Sequence, residues 1–155
     1  MNLILERTQQ VKYFTDMRLV FEALVIKCSD YDWFISDVET NINLPALENA
    51  NSGLWLTGNE LEVILENNKI QFIWGVFSAV PRGYRVKVTA LPCADGNPNY
   101  WNSSDPKPQL PGAEFEIACW DSSAIILIGI PDRQAKSFCS KYSDTKDLQD
   151  AQDRL

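Results

Sequence analysis

Carboxylates are the main side chains in this sequence that could do chemistry, because the chain contains no histidine. Without histidine, the commonest general base, the commonest metal ligand and every Ser/His or Cys/His nucleophile pair are excluded. Asp37 and Glu39 lie two residues apart on a predicted strand, so they would share one face and could act as acid and base or bind Mg²⁺ or Ca²⁺. Their spacing, taken with that of Asp30 and Asp32, fits no calcium loop. Solvated charges at the end of a strand are therefore favoured over a catalytic or metal site.

Other catalytic motifs are absent or incomplete. Neither the G-x-x-x-x-G-K-[ST] nor the G-x-G-x-x-G phosphate-binding pattern occurs. Residues 143–146 have the Ser-x-x-Lys spacing of a serine nucleophile with a lysine base, but the companion Ser-Asp-Asn and Lys-Thr-Gly elements are missing. The cysteines form no Cys-x-x-Cys pair, which predicts reduced thiols and no zinc site at Cys28, Cys93, Cys119 and Cys139. We therefore predict that the protein is not an enzyme and that it uses no metal or other cofactor.

Charge is distributed unevenly along the chain. It has 21 acidic and 14 basic residues, a net charge of -7 and a pI of about 4.5. Residues 28–68, here called the acidic segment, contain no basic residue and eight acidic ones: Asp30, Asp32, Asp37, Glu39, Glu48, Glu60, Glu62 and Glu66. Such a charge disfavours nucleic acid as a partner and favours a basic protein. Charge alone fits an acidic solubilising face equally well.

Periodicity predicts a single α+β domain over residues 1–155, with a mainly antiparallel twisted sheet of five to six strands and three packed helices. Helices are expected over residues 15–26, over 58–67 and from Pro131 onwards. The second begins where Thr57-Gly-Asn-Glu60 has the spacing of a capping box. Strands are expected over residues 31–39, 54–56, 70–80, 84–89, 114–120 and 123–130, and another could start within 3–11. The strand at 70–80 is predicted to be central, and residues 145–155 would extend the last helix or fray.

Residues 91–112 contain five of the eight prolines and two glycines, which predicts a long irregular segment, here called the excursion. Four tryptophans fall in predicted strands, where core packing explains them. Tyr100 and Trp101 instead lie in the excursion, where they either anchor it to the body of the domain or contact a partner. Anchoring is favoured, and both residues are also candidate partner contacts.

The first residues lack the basic start and the apolar run of a secretion signal. Nowhere does the chain approach the run of about 18 apolar residues that a membrane span requires. The sequence therefore predicts a cytoplasmic protein that does not bind a membrane.

A resemblance adds to this interpretation. Tyr31-Asp-Trp-Phe-Ile-Ser-Asp-Val-Glu39, followed by Gly58-Asn-Glu-Leu-Glu-Val-Ile-Leu-Glu-Asn67, resembles a pattern of a small uncharacterised bacterial α+β family. The size, the acidity and the missing catalytic motifs are more loosely similar to immunity proteins that neutralise bacterial toxins, including those of contact-dependent inhibition systems. Such proteins act by occlusion, so the resemblance implies a basic toxin domain as partner and no catalytic residues.

Seven residues are the predicted partner contacts: Asp32, Asp37, Glu39, Glu60, Glu62, Tyr100 and Trp101. Two alternatives to an immunity protein remain open at this stage. One is a small enzyme with carboxylate or metal-assisted chemistry. The other is a regulatory interaction module with a different basic partner.

Overall fold

Apolar residues predominate in most of the strands, and these strands form one antiparallel sheet. The computed structural model describes residues 1–151. Its strands are β1 (Leu3–Glu6), β2 (Tyr31–Thr40), β3 (Leu54–Thr57), β4 (Phe72–Pro81), β5 (Phe115–Trp120), β6 (Ala124–Ile128) and β7 (Lys146–Asp147). Their order in the sheet is β3-β2-β4-β5-β6-β1-β7, and every paired strand is antiparallel to its neighbour. The predicted α+β class with an antiparallel sheet is confirmed, with seven described strands instead of five to six.

Three helices are described: α1 (Met17–Leu24), α2 (Gly58–Asn67) and α3 (Asp132–Lys141). The start of α2 is fixed by the predicted capping box. The Glu60 amide donates to the Thr57 hydroxyl at 3.1 Å, and the Thr57 amide donates to the Glu60 carboxylate at 3.0 Å. These two bonds satisfy amides that have no partner within the helix. The sequence therefore predicted the bounds of α2 correctly.

The two faces of the sheet have different covers. On one face, strand residues such as Trp33, Phe77 and Ile117 pack with helix side chains such as Leu61 and Phe138. The opposite face packs mainly with the irregular chain between β4 and β5, through Val76, Ala118, Trp120 and Ile126 against Ala94, Tyr100 and Trp101. Because both faces are covered, the interior strands are apolar on both of their alternating sets.

The segment after β4 departs from the prediction. Residues 84–89 were expected to form a strand, but they pair with no strand in the described part of the chain. Their alternation has another cause, because Val86 and Val88 pack on Phe34 and Val80 while the residues between them face solvent. Alternating burial against a sheet face mimics the pattern of a strand without any backbone pairing.

The ends of the sheet bring two further corrections. The strand predicted to be central, β4, is an interior strand, but β5 occupies the middle of the order because β1 and β7 extend the sheet beyond β6. The chain after α3 does not prolong that helix. It forms β7 beside β1, followed by a short 3-10 helix at Leu148–Asp150. Residues 152–155, which the same prediction covered, lie outside the described residues.

Three other predictions can be compared with the structure. The excursion is irregular, as predicted, except for a 3-10 turn at Pro98–Tyr100. All four cysteines are unbridged, which confirms the prediction of free thiols. Across residues 1–151, no helix has the length and apolar character needed to cross a membrane.

Candidate functional site

Asp32, the first predicted contact along the chain, is buried in an ion pair. The Arg85 side chain donates from Nε to the Asp32 carboxylate at 2.9 Å, and the Gly83 amide points at the same oxygen at 3.4 Å. The Arg85 guanidinium also lies 5.5 Å from the centre of the Trp55 ring. Asp32 therefore holds the turn after β4, and its carboxylate is already engaged.

Asp37 fastens the start of the excursion. Its carboxylate accepts from the amides of Ala94 and Asp95 at 2.8 and 2.9 Å. The Asp37 backbone has a φ of 53°, and the pairing of β2 with β4 shifts register between Ser36 and Glu39. This bulge interrupts the strict alternation that predicted a shared face for Asp37 and Glu39. The two carboxylates therefore do not form the regular strand pair that an acid and base would need, and Glu39 is exposed to solvent.

Tyr100 and Trp101 take the anchoring role and are not surface contacts, since their exposed fractions are only 2% and 6%. The Tyr100 hydroxyl donates to the Glu116 carboxylate at 2.6 Å. The Trp101 ring packs edge-on against Trp120, with ring centres 4.8 Å apart. These contacts fix the excursion on the sheet, so both residues are unavailable to a partner in this conformation.

The sequence analysis missed Glu116 and Gln109, which complete this buried cluster. The backbone N–H of Gln109 donates to one Glu116 oxygen at 2.8 Å, and the side-chain Nε2 of Gln109 donates to the Tyr100 hydroxyl at 3.0 Å. Burial raises the pKa of Glu116, while the hydrogen bonds from Tyr100 and Gln109 act in the opposite direction. Burial and the nearby carboxylate raise the pKa of Tyr100 well above its ordinary value of 10. The sequence signal for this cluster was Glu116 itself, the one acidic residue in the otherwise apolar strand β5.

This buried cluster supports the fold, because its hydrogen bonds join the excursion to β5. The Glu116 carboxylate is fully buried, so no substrate reaches it while the excursion is in place. Within the described part of the chain, no group of three or more His, Cys, Asp or Glu side chains could hold a metal ion. The candidate site must therefore be sought on the surface.

One apolar concavity along the acidic segment lies between β3 and α2. It has a volume of about 610 Å³ and is here called the β3 groove. Its lining is Ala46, Leu54, Trp55, Leu56, Asn59, Glu60, Val63 and Ile64. Val63, in α2, leaves 54% of its surface exposed here. An exposed valine and a partly buried tryptophan in one lining indicate a surface suited to an apolar contact.

Charged residues surround this groove. Hydrogen bonds from Thr57 lower the pKa of Glu60, so that its carboxylate at the groove stays ionised. Glu62 is exposed on the same helix, one residue from Val63. On the other side, Arg85 pairs with Asp32 next to Trp55 and offsets part of the local negative charge. The groove therefore combines an apolar lining with the Glu60 carboxylate on its helix side.

Two other concavities carry charges of both signs. One, of about 460 Å³, is lined by Arg18, Lys69 and Asp16 near the start of α1. The other, of about 300 Å³, brings Lys27 and Arg18 next to Glu62 and Glu66. Basic residues from outside the acidic segment thus lie close to Glu62 and Glu66. Neither concavity has the apolar character of the β3 groove.

Comparisons with models of protein families, with curated proteins and with solved structures found no match to this chain. The resemblance to an uncharacterised bacterial family and to immunity proteins therefore stays a prediction.

Proposed function

We propose that this protein is a cytoplasmic binding module that recognises a basic protein through the β3 groove and the exposed carboxylates of α2. The partner we propose is a bacterial toxin domain, which the module neutralises by covering its active surface. The observation that carries the proposal is the apolar β3 groove with the exposed carboxylate of Glu60 in its lining.

Apolar and acidic groups have separate tasks at such a surface. Burying Trp55 and Val63 against a partner would supply most of the affinity, because interface energy is concentrated in well-packed apolar and aromatic contacts. Exposed carboxylates mainly accelerate encounter with a basic partner and disfavour acidic ones. Together they give a surface that binds tightly and selects by charge.

The engagement of Asp32 and Asp37 supports binding over catalysis. An enzyme using carboxylates would need these groups as acid, base or metal ligands. Asp32 is instead paired with Arg85, and Asp37 accepts two backbone amides of the excursion. The choice of a toxin domain as partner is supported by the resemblance in size, acidity and lack of motifs. A regulatory module with another basic partner would use the same surface.

Charge reversal on α2 tests the proposal. The candidate partner is a basic toxin domain encoded next to this chain, and association is measured by stopped flow. Screening shortens the Debye length from about 30 Å at 0.01 M salt to about 8 Å at 0.15 M, so association of the unaltered protein should slow steeply. The Glu60→Lys, Glu62→Lys double variant should associate roughly tenfold more slowly at low salt and depend less on salt. Glu60→Gln keeps an oxygen for the capping bond from the Thr57 amide and should slow association without loss of stability, which separates the effect of charge from that of the cap. Cells producing the toxin should lose protection.

The matched control reverses Glu22 and Glu114, two exposed acids outside the acidic segment, and so makes the same change in net charge. It should retain most of the association rate and the protection of cells. If the association rate does not depend on salt and the Glu60/Glu62 variant protects cells fully, these carboxylates only solubilise the protein.

A further inference from the structure

The outer edge of β3 is open in the described part of the chain. β3 is the terminal strand of the sheet order, and within residues 1–151 it pairs only with β2, from Asp32↔Thr57 to Ile35↔Leu54. In an antiparallel strand, alternate residues direct their backbone N–H and C=O groups to opposite edges. Some backbone groups of β3 therefore point away from the sheet, where another strand could pair with them.

The hydrogen bonds of the sheet identify which β3 residue faces outwards. The Glu114 amide donates to the Ala79 carbonyl at 2.7 Å, so Ala79 directs its backbone towards β5 and away from β2. Its partner on β2, Trp33, must then direct its own backbone away from β4 and towards β3, because two directly opposite residues of an antiparallel pair either both point at each other or both point away. Trp33 is paired with Leu56, which therefore faces β2.

Trp55, next to Leu56, consequently directs its N–H and C=O outwards. An independent contact agrees with this assignment. Thr57 lies two residues from Trp55, so its backbone N–H points to the same edge of the strand. That N–H donates to the Glu60 side chain and not to β2. The Trp55 backbone thus offers one donor and one acceptor at the bottom of the β3 groove.

The side chains around this backbone suit an extended ligand. Leu54 and Leu56 lie on the face covered by helices, and Trp55 packs with Phe34 on the opposite face, yet all three line the β3 groove. Side chains of an added strand alternate between the same two faces. Basic side chains of the added strand would lie on the helix face near Glu60, and its apolar side chains would lie on the opposite face against Trp55.

We propose that the partner docks an extended basic segment as an additional strand on β3, hydrogen-bonded to the backbone of Trp55. This inference rests on the proposed function, because it names how the basic partner is held at the same groove. Main-chain hydrogen bonds give affinity in such complexes, and alternate side chains give selectivity. A basic occupant is favoured by charge, since the helix side of the groove carries the exposed carboxylate of Glu60.

Hydrogen exchange by NMR tests the docking mode on the full chain. The probe is a peptide of alternating lysine and valine, added up to about 1 mM, near the weak limit of useful affinity. The Trp55 amide should exchange at least tenfold more slowly with the peptide bound, since an open amide becomes protected. The amides of Leu54 and Leu56, which already face β2, should change little. A peptide N-methylated on the edge that pairs with β3 should not bind.

Two variants locate the contact. Val63→Ser removes an apolar group from the groove and should weaken peptide binding severalfold. Leu19→Ser, at a similarly exposed apolar residue of α1, should leave binding unchanged.

Each other outcome overturns strand addition. The first is that the peptide does not bind at the highest concentration. The second is that the peptide changes chemical shifts only on the outer face of α2 and leaves the exchange of the Trp55 amide unchanged. The third is that self-association already protects the Trp55 amide without the peptide. The proposed function is judged separately, by the salt dependence and cell protection of the Glu60/Glu62 variant with the toxin domain. It can stand where strand addition fails.

Discussion

At the scale of single residues, the main feature is a carboxylate placed in the core. Glu116 is fully buried, yet its two oxygens receive the Tyr100 hydroxyl at 2.6 Å and the Gln109 amide at 2.8 Å. A buried carboxylate without such donors would cost several kcal/mol. The cluster therefore both tolerates the acid and ties the excursion to β5.

We expect Tyr100→Phe to destabilise the protein by about 1.5–3 kcal/mol, because the substitution removes a hydrogen bond to a buried carboxylate and leaves that oxygen with only the longer 3.3 Å bond from Gln109 Nε2. Urea unfolding followed by far-UV circular dichroism measures the change. The control is Tyr84→Phe, since the Tyr84 side chain is 72% exposed, and it should alter stability by less than about 0.5 kcal/mol. Equal effects of the two variants would contradict the anchoring role of Tyr100.

At the scale of elements, α2 begins directly against the backbone of a neighbouring turn. A Cβ at Gly58 would lie 1.8 Å from the Cys28 carbonyl oxygen, in the 3-10 turn Cys28–Asp30. The same carbonyl accepts the indole N–H of Trp33 at 3.0 Å. Glycine is therefore required at the start of α2 because of close approach, and the turn fixes where the helix sits on the sheet.

Gly58→Ala should destabilise the protein by at least about 1–3 kcal/mol, the usual cost of overpacking. Helix propensity alone predicts the opposite, since alanine is better than glycine by about 1 kcal/mol within a helix. Asn59→Ala, at the next and exposed position of α2, should be neutral or slightly stabilising. Thermal unfolding of both variants measures the difference, and a more stable Gly58→Ala protein would disprove the close approach.

At the scale of the whole molecule, the sheet is shielded on both faces, by helices on one and chiefly by irregular chain on the other. Cys28 and Cys119 are buried as a result, and Cys93 and Cys139 are partly buried. Burial raises the pKa of Cys28 to about 12, with Glu62 adding to the effect. Thiolates, which are the reactive form, are therefore scarce in the folded protein at neutral pH.

Thiol titration without reductant should count four thiols in the unfolded protein, as all four cysteines are unbridged. In the folded protein Cys28 and Cys119 should react only as fast as the molecule unfolds, whereas Cys93 and Cys139 should react sooner. Mass spectrometry of labelled peptides assigns each thiol. A count of two or none in freshly purified, unfolded protein would refute the prediction of free thiols.

The sequence by itself determined the features that depend on near neighbours. The bounds of α2 follow from a capping box that spans four residues, Thr57 to Glu60. The hairpin of β5 and β6 follows from two strand-like runs separated by the short turn Asp121-Ser122, and the irregular excursion follows from its prolines. Caps, turns and periodicity act within a few residues, so the sequence shows them directly.

Only the tertiary structure decided which side chains remain available at the surface. Asp32 bonds to Arg85, 53 residues away, and Asp37 bonds to Ala94, 57 residues away, so two acids that looked free are engaged. The same long-range packing buried Tyr100 and Trp101 and left β3 with an open edge. Such contacts join residues that are far apart in the sequence, so patterns within a few neighbouring residues do not predict them.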